Sequence, residues 1–330
     1  MSPARLAAVL ATALACLEAG AAEFTWPTSM TPAMTRAPED FAQPTVSSRI
    51  ESALFGMTRE NGRRFHEGVD IRPSYRDRMG EPTDAVLAAA DGEVMHLNPW
   101  TNGPYGIYAV LWHADAKVPH YTLYAHLARI SPALKVGARV GRGTTLGTMG
   151  RTADRSDPIP QSRAHLHFEV GLLLSGTFGR WHDAQPENRG ARNLHGVWNG
   201  QNLIGIDPLP LLRAGKVDLQ EEIRRMPAAV ACVLRAAKTP DFVLRHPGLV
   251  EGDTAAAAGW RIEFTWQGLP RRWVALPKDS PELPARDWRL VATNRSLHDQ
   301  LLRRKMLAGD GTKPGETLSR QMGILADSAR

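Results

Sequence analysis

From Ile50 to about Pro210, short apolar runs alternate with Gly, Pro and Asn at close intervals. That texture predicts an all-β region. The strand candidates are Ala85-Val86-Leu87-Ala88, Gly92-Glu93-Val94-Met95, Ile107 to Trp112, Tyr121-Thr122-Leu123-Tyr124 and His165 to Val170. Asn102-Gly103 and Gly141-Arg142-Gly143 mark turns between some of them, and no long segment here carries a helical period. After Asp207-Pro208 the pattern changes. Asp218 is placed to cap a helix through Glu221, Glu222, Ile223 and Arg224. Pro227 interrupts it, and a second helical stretch is expected to continue to about Lys238. Trp260 to Trp266 alternates as a strand does, Gly268 turns it into Arg272 to Leu276, and Asp287 to Thr293 gives a third strand. Ser296 to Leu307 is expected to be helical and the tail is polar.

The pattern divides the chain into 1–22, a signal peptide; 23–48, a linker or extended arm rich in Pro, Thr and Ser; 49–211, a β domain; and 212–330, a smaller C-terminal α+β domain or extension. The fold class expected is mainly β, an antiparallel sheet or sandwich. With 330 residues, 43% of them apolar, the chain is long enough for one sizeable core and a second.

The N-terminal segment predicts export. Arg5 gives a short positive start, an apolar run extends from Leu6 to Leu17, and Ala19-Gly20-Ala21-Ala22 offers a small-residue cleavage site. The run falls short of the roughly 20 apolar residues a membrane helix needs. Cys16 lies inside it, where lipid modification is conceivable, although Ala13-Leu14-Ala15 fits that pattern poorly. Removal of the segment leaves Cys232 as the one cysteine, in an apolar run that suits a small buried hydrophobe better than a nucleophile. The formal net charge of +6 favours polyanionic partners such as the bacterial wall, while scattered arginines with no dense basic block argue against a nucleic-acid groove. These features place the protein in the periplasm or cell envelope, or outside the cell, with no stable membrane span.

Candidate chemistry lies in the histidines. Three features stand in the β region: His66-Glu67-Gly68-Val69-Asp70, Tyr124-Ala125-His126-Leu127 and His165-Leu166-His167. Imidazole and carboxylate together suit zinc, which takes about four tetrahedral ligands. On a strand His165 and His167 share a face, about 6–7 Å apart, so one can bind metal while the other faces substrate. His66 and Asp70 would be about 13 Å apart on a straight strand. They meet one ion only if the chain bends, and Gly68 permits a bend through backbone angles closed to other residues. Glu169 is expected to point away from the ligand side chains and to pair with an arginine. His96, His113, His120, His182, His195, His246 and His298 have no motif around them, and the nine tryptophans suit packing.

These segments resemble the lysostaphin-type zinc peptidases, the M23 or LytM family. Phe65 to Ile71 is similar to the family's first metal motif, Tyr124-Ala125-His126-Leu127 to its Y-x-H-L, and His165-Leu166-His167 to its closing H-x-H; Ala88 to Val94 and the glycines 137, 147 and 150 fall in the family's order. The resemblance spans about residues 50–175. It implies an M23-type β domain in which His66, Asp70 and His167 ligate Zn2+, and His126 and His165 are unligated catalytic histidines. It implies a zinc metalloendopeptidase that hydrolyses stem or cross-bridge peptides of peptidoglycan. Two other functions remain open: a non-catalytic peptidoglycan-binding or activator protein of the same fold, and a zinc peptidase acting on glycine-rich proteins. Departures lie at the rim, in the longer lead-in Arg151 to Ala164 and the insertion Arg72 to Arg78, where substrate preference is set.

Overall fold

The computed structural model describes residues 20–59, 62, 64–114, 116–190 and 192–330. The signal-like run and Cys16 lie outside the described residues. A seven-stranded sheet forms the scaffold, in the order Arg139–Val140, Gly92–Asn98, Tyr108–His113, His120–Ala125, Leu166–Leu173, Leu203–Ile206, with Val69–Ile71 also paired to Leu166–Leu173. All of its pairings are antiparallel. One edge of Leu166–Leu173 runs along His120–Ala125; the other is divided end to end between Val69–Ile71 and Leu203–Ile206.

Alternation fills both faces. Leu111, Tyr124, Phe168 and Val170 point to one side, where they meet Val86, Leu127, Leu146 and Met149 of a three-stranded sheet formed by Ala85–Leu87, Thr145–Met149 and Leu127–Ile130. Tyr108, Val110, Trp112, Tyr121 and Leu123 point to the other, beneath Trp198. Covering on both sides explains why Tyr108–His113 and His120–Ala125 are buried along their whole length and read as nearly unbroken apolar runs. The β expectation for this region holds.

Segment 23–48 packs along the domain. Ala22–Glu23 pairs with Lys216–Val217, Phe24 and Phe41 are buried, and the Gln43 N–H donates to the Asp70 carbonyl at 2.9 Å.

The C-terminal part is α+β, as expected, with two corrections. Residues 228–238 were expected to continue a helix. The capped helix Leu219–Arg225 is there, with Asp218 accepting from the Glu221 N–H, but Val230–Arg235 beyond Pro227 is a strand. It runs inside a five-stranded sheet ordered Val250–Glu251, Pro270–Leu276, Gly259–Phe264, Val230–Arg235, Trp288–Thr293. A short apolar run fits a buried helix or a buried strand equally well by period, and pairing on both edges decides for the strand. The polar tail forms the helix Glu316–Ser328, burying Leu318, Met322 and Leu325 at helical spacing. Cys232 is buried and free, as expected, and burial pushes its thiol up to about 12. Buried apolar residues of the C-terminal sheet and of the β domain form one continuous core. Polar contacts cross the same boundary: the Arg245 guanidinium, 4% exposed, donates to the Leu173 and Leu174 carbonyls, and Asp241 accepts from the Gly176 N–H. Among the described residues, no helix is long and apolar enough to cross a membrane.

Three of the histidines without a motif are buried near this boundary. His113 and His120 stack with ring centroids 4.7 Å apart. His246 is fully buried with neither ring nitrogen hydrogen-bonded among the described residues. Burial pulls His113 down to about 4 and His120, beside it, to about 3. Burial, with Arg245 adjacent, holds His246 well below the ordinary histidine value. An unfolded chain binds protons at these residues once pH falls below about 6.5. The folded chain does so only at lower pH, so acid favours unfolding. We expect the thermal midpoint to fall between pH 7 and pH 4.5, and His246→Leu to flatten that fall. Midpoints followed by circular dichroism would contradict this if the variant had the same pH slope as the parent.

Candidate metal centre

Sheet register builds two thirds of the site. The antiparallel ladder between Val69–Ile71 and Leu166–Leu173 sets Asp70 directly opposite His167. Both side chains emerge on the face away from Phe168 and Val170, and their Oδ1 and Nδ1 atoms lie 2.9 Å apart. His66 precedes the strand, just beyond the short hairpin of Thr58–Arg59 and Arg64–Phe65. Its Nε2 is 2.9 Å from Asp70 Oδ1 and 3.2 Å from His167 Nδ1. Three ligand-type atoms thus form a small triangle, each on a buried residue.

A tetrahedral ion with bonds near 2 Å sets its ligand atoms about 3.3 Å apart, so the donor set and its spacing fit zinc. The tautomers fit as well. His66 Nδ1–H donates to the Leu54 carbonyl at 2.8 Å, leaving the Nε2 lone pair on the triangle. His167 Nε2–H donates to Glu169 Oε1 at 2.8 Å, leaving Nδ1 facing inward.

Glu169 corrects an expectation. It was placed opposite the ligands and beside an arginine, yet two residues along a strand is the same face, not the opposite one. Its carboxylate is 1% exposed and accepts from Tyr105 at 2.7 Å and Tyr121 at 2.8 Å as well as from His167. Burial opposes its charge, but His167 and the two tyrosines hold the carboxyl below its usual range. Burial likewise opposes charge on His167, and is outweighed by Asp70 and Glu169, which push it up to about 10. A carboxylate that orients a metal-binding imidazole through its second nitrogen is a recurrent arrangement.

Gly68 also differs from expectation. Its backbone is not in the left-handed region. The requirement is space: a Cβ there would lie 2.2 Å from the Phe168 carbonyl oxygen. The bend between His66 and Asp70 is a close backbone crossing against the central strand.

His126 and His165 stand beside the triangle. His126 ends the strand His120–Ala125 in the left-handed region, at φ 61°, a conformation that costs a non-glycine residue energy and clusters at functional sites. Its Nδ1–H donates to the Thr152 carbonyl at 2.7 Å. The Thr152 hydroxyl in turn joins the Leu127 carbonyl and the Ile107 N–H. His165 Nδ1–H donates to the Arg163 carbonyl at 2.7 Å, and its Nε2 lies 3.6 Å from Asp70 Oδ1. The two rings meet edge to face at 4.7 Å. Burial holds His165 below the ordinary histidine value and, with His165 and His167 nearby, holds His126 well below it. Both therefore carry a free imidazole nitrogen at neutral pH.

All five histidine and aspartate positions singled out from the sequence converge here. Of the seven histidines without a motif, His113 and His120 are buried on the opposite face of the sheet. Tyr105, Thr152 and Glu169 were missed. Only Glu169 left a local signal, its two-residue spacing from His167. At the rim the two departures are tied together: Arg76 donates to the Gln161 carbonyl at 3.0 Å, and Arg151 forks onto Glu81.

A buried His-Asp-His cradle with two further imidazoles beside it thus stands on an antiparallel β scaffold. Residues 64–175 match the family model of peptidase family M23. Solved structures similar to the chain include the antimicrobial peptidase lysostaphin from Staphylococcus simulans, at 22% identity over 46% of this chain and 45% of that one, with a TM-score of 0.29. They also include a zinc-containing peptidase from Vibrio cholerae, at 25% identity over 46% and 37% of the two chains, TM-score 0.29. A putative glycyl-glycine endopeptidase, lytM, from Ruminococcus gnavus matches at 21% identity over 59% and 61%, TM-score 0.34. The chain spans less than half the length of the first two. No curated protein matches it significantly.

Proposed function

We propose that this chain is an exported zinc metalloendopeptidase that hydrolyses peptide bonds in the stem or cross-bridge peptides of peptidoglycan. The observation that carries the reading is the triangle of His66 Nε2, Asp70 Oδ1 and His167 Nδ1, with edges of 2.9 to 3.2 Å and two unligated imidazoles beside it. These three atoms are the ones that would hold the ion. When bound, zinc supplies Lewis-acid polarisation of a carbonyl and acidifies water.

The chain's own groups do the rest. Glu169 fixes the His167 ring, and the Leu54 carbonyl fixes that of His66. His126 and His165, held neutral by burial with their Nδ1 protons committed to carbonyls, present basic nitrogens suited to taking a proton from water and returning it to the leaving amine. Once protonated, either stabilises negative charge on the carbonyl oxygen. The match of residues 64–175 to the M23 family model and the basic net charge of +6 support the wall as substrate.

The test is digestion of purified sacculi by the full chain, with and without a chelator and with zinc restored. Soluble peptide fragments, lost on chelation and recovered with zinc, are expected. Binding to sacculi without cleavage, by a protein purified without zinc, would favour a non-catalytic wall protein. Cleavage confined to an oligoglycine or elastin-like peptide would move the substrate to glycine-rich proteins.

A further inference from the structure

We propose that Arg304, from the C-terminal part of the chain, is a positioning residue for the metal cradle and acts by holding Phe65 and Glu67 on either side of His66. The inference rests on the metal reading given above.

Asp70 and His167 are fixed against each other by the sheet ladder. His66 lies outside every strand of that sheet; its backbone pairs with Gly56 and Met57 and its ring with the Leu54 carbonyl, and the residues on either side of it supply the remaining restraint. Both neighbours are held from the C-terminal part. The Arg304 guanidinium lies 4.0 Å over the Phe65 ring, whose other contacts include the edge of Trp266 at 5.8 Å. Arg304 Nη2 donates to Glu67 Oε1 at 3.0 Å, and its Nε donates to the Gln267 carbonyl at 3.0 Å. Arg304 is 5% exposed, and a planar fork spread over three partners cannot turn without losing one of them.

The remaining directions are closed by backbone. Glu67 Oε2 accepts from the Gly205 N–H at 2.9 Å. A Cβ at Gly205 would come within 2.2 Å of the Glu67 carbonyl oxygen, and one at Gly68 within 2.2 Å of the Phe168 carbonyl oxygen. Residues 65–68 are thus clamped between the β domain and the C-terminal part, with Arg304 forming the ion pair to Glu67 from the latter side and Arg320 adding positive charge nearby. The C-terminal extension is in this sense part of the metal site, though none of its side chains is a ligand.

The experiment measures zinc affinity by competition with a chromophoric chelator, alongside the thermal midpoint, in the full-length chain. Arg304→Met is expected to weaken zinc binding about 10–100-fold, the loss typical of a group that orients metal ligands. Arg304→Lys, which keeps the charge but not the fork, is expected to recover part of it. Arg245→Met is the control, because it removes a buried arginine of the same unit that bonds the Leu173 and Leu174 carbonyls and touches no neighbour of a ligand. It should lower the midpoint and leave zinc affinity within about threefold of the parent. Parental affinity in Arg304→Met, or equal loss in Arg245→Met, would overturn the positioning role. If Arg304→Met does not fold, the Arg304→Lys and Glu67→Gln affinities decide in the same way. A parent chain that binds no zinc would sink the metal reading itself, a result distinct from any difference among variants.

Discussion

His167→Ala is expected to abolish stoichiometric zinc and, with it, wall hydrolysis. His167 is the residue on which most of the site converges: Nδ1 faces Asp70 and His66, and Nε2–H donates to Glu169. Its removal takes away one of the three proposed ligands and leaves two carboxylates, 4% and 1% exposed, without the imidazole between them. Loss of a group that merely orients a ligand costs about 10–100-fold in metal affinity, so loss of the ligand itself should exceed that. Breaking a buried charge pair costs on the order of 3–5 kcal/mol, so a lower thermal midpoint should accompany the metal loss. Elemental analysis of the purified variant checks the first effect and calorimetry the second. Equimolar zinc in the variant would remove His167 from the ligand set.

His126→Ala and His165→Ala should behave in the opposite manner. Neither residue is a corner of the triangle, so zinc should be retained. General acid–base assistance by a positioned side chain contributes about 10²- to 10⁴-fold, and each variant is expected to lose rate in that range through kcat with KM little changed. Steady-state cleavage of a defined wall peptide, with metal content measured in parallel, separates these roles from ligation. A variant with the parental kcat would strike that histidine from the mechanism, and one purified without zinc would make it a ligand.

The site was legible because its pieces are local. The pair His165 and His167 shares a face by strand alternation, and the Asp-to-His66 spacing demands a bend, so the ingredients stand in plain view along the chain. Their assembly is set by the register that brings Asp70 opposite His167, 97 positions away, and no local pattern encodes register. Glu169 was within reach of the same alternation and was placed on the wrong face. Gly68 was singled out, but for backbone freedom rather than for the crossing it makes over Phe168. Arg304 left no signal, since 237 positions separate it from Glu67. The C-terminal part was less legible. Val230–Arg235 is apolar on both faces and too short for period to separate helix from strand, and the tail helix hides a narrow apolar stripe under a polar composition.

The pairing of Asp70 with His167 also orders events in time. During synthesis His66 and Asp70, two of the three proposed ligands, emerge before His167, and without it nothing holds the cradle together. A cation offered to that partial chain finds no cradle. Capture would wait for the strand Leu166–Leu173 to pair with Val69–Ile71, so a bound metal would act as a latch on an assembled sheet rather than as a seed for its folding.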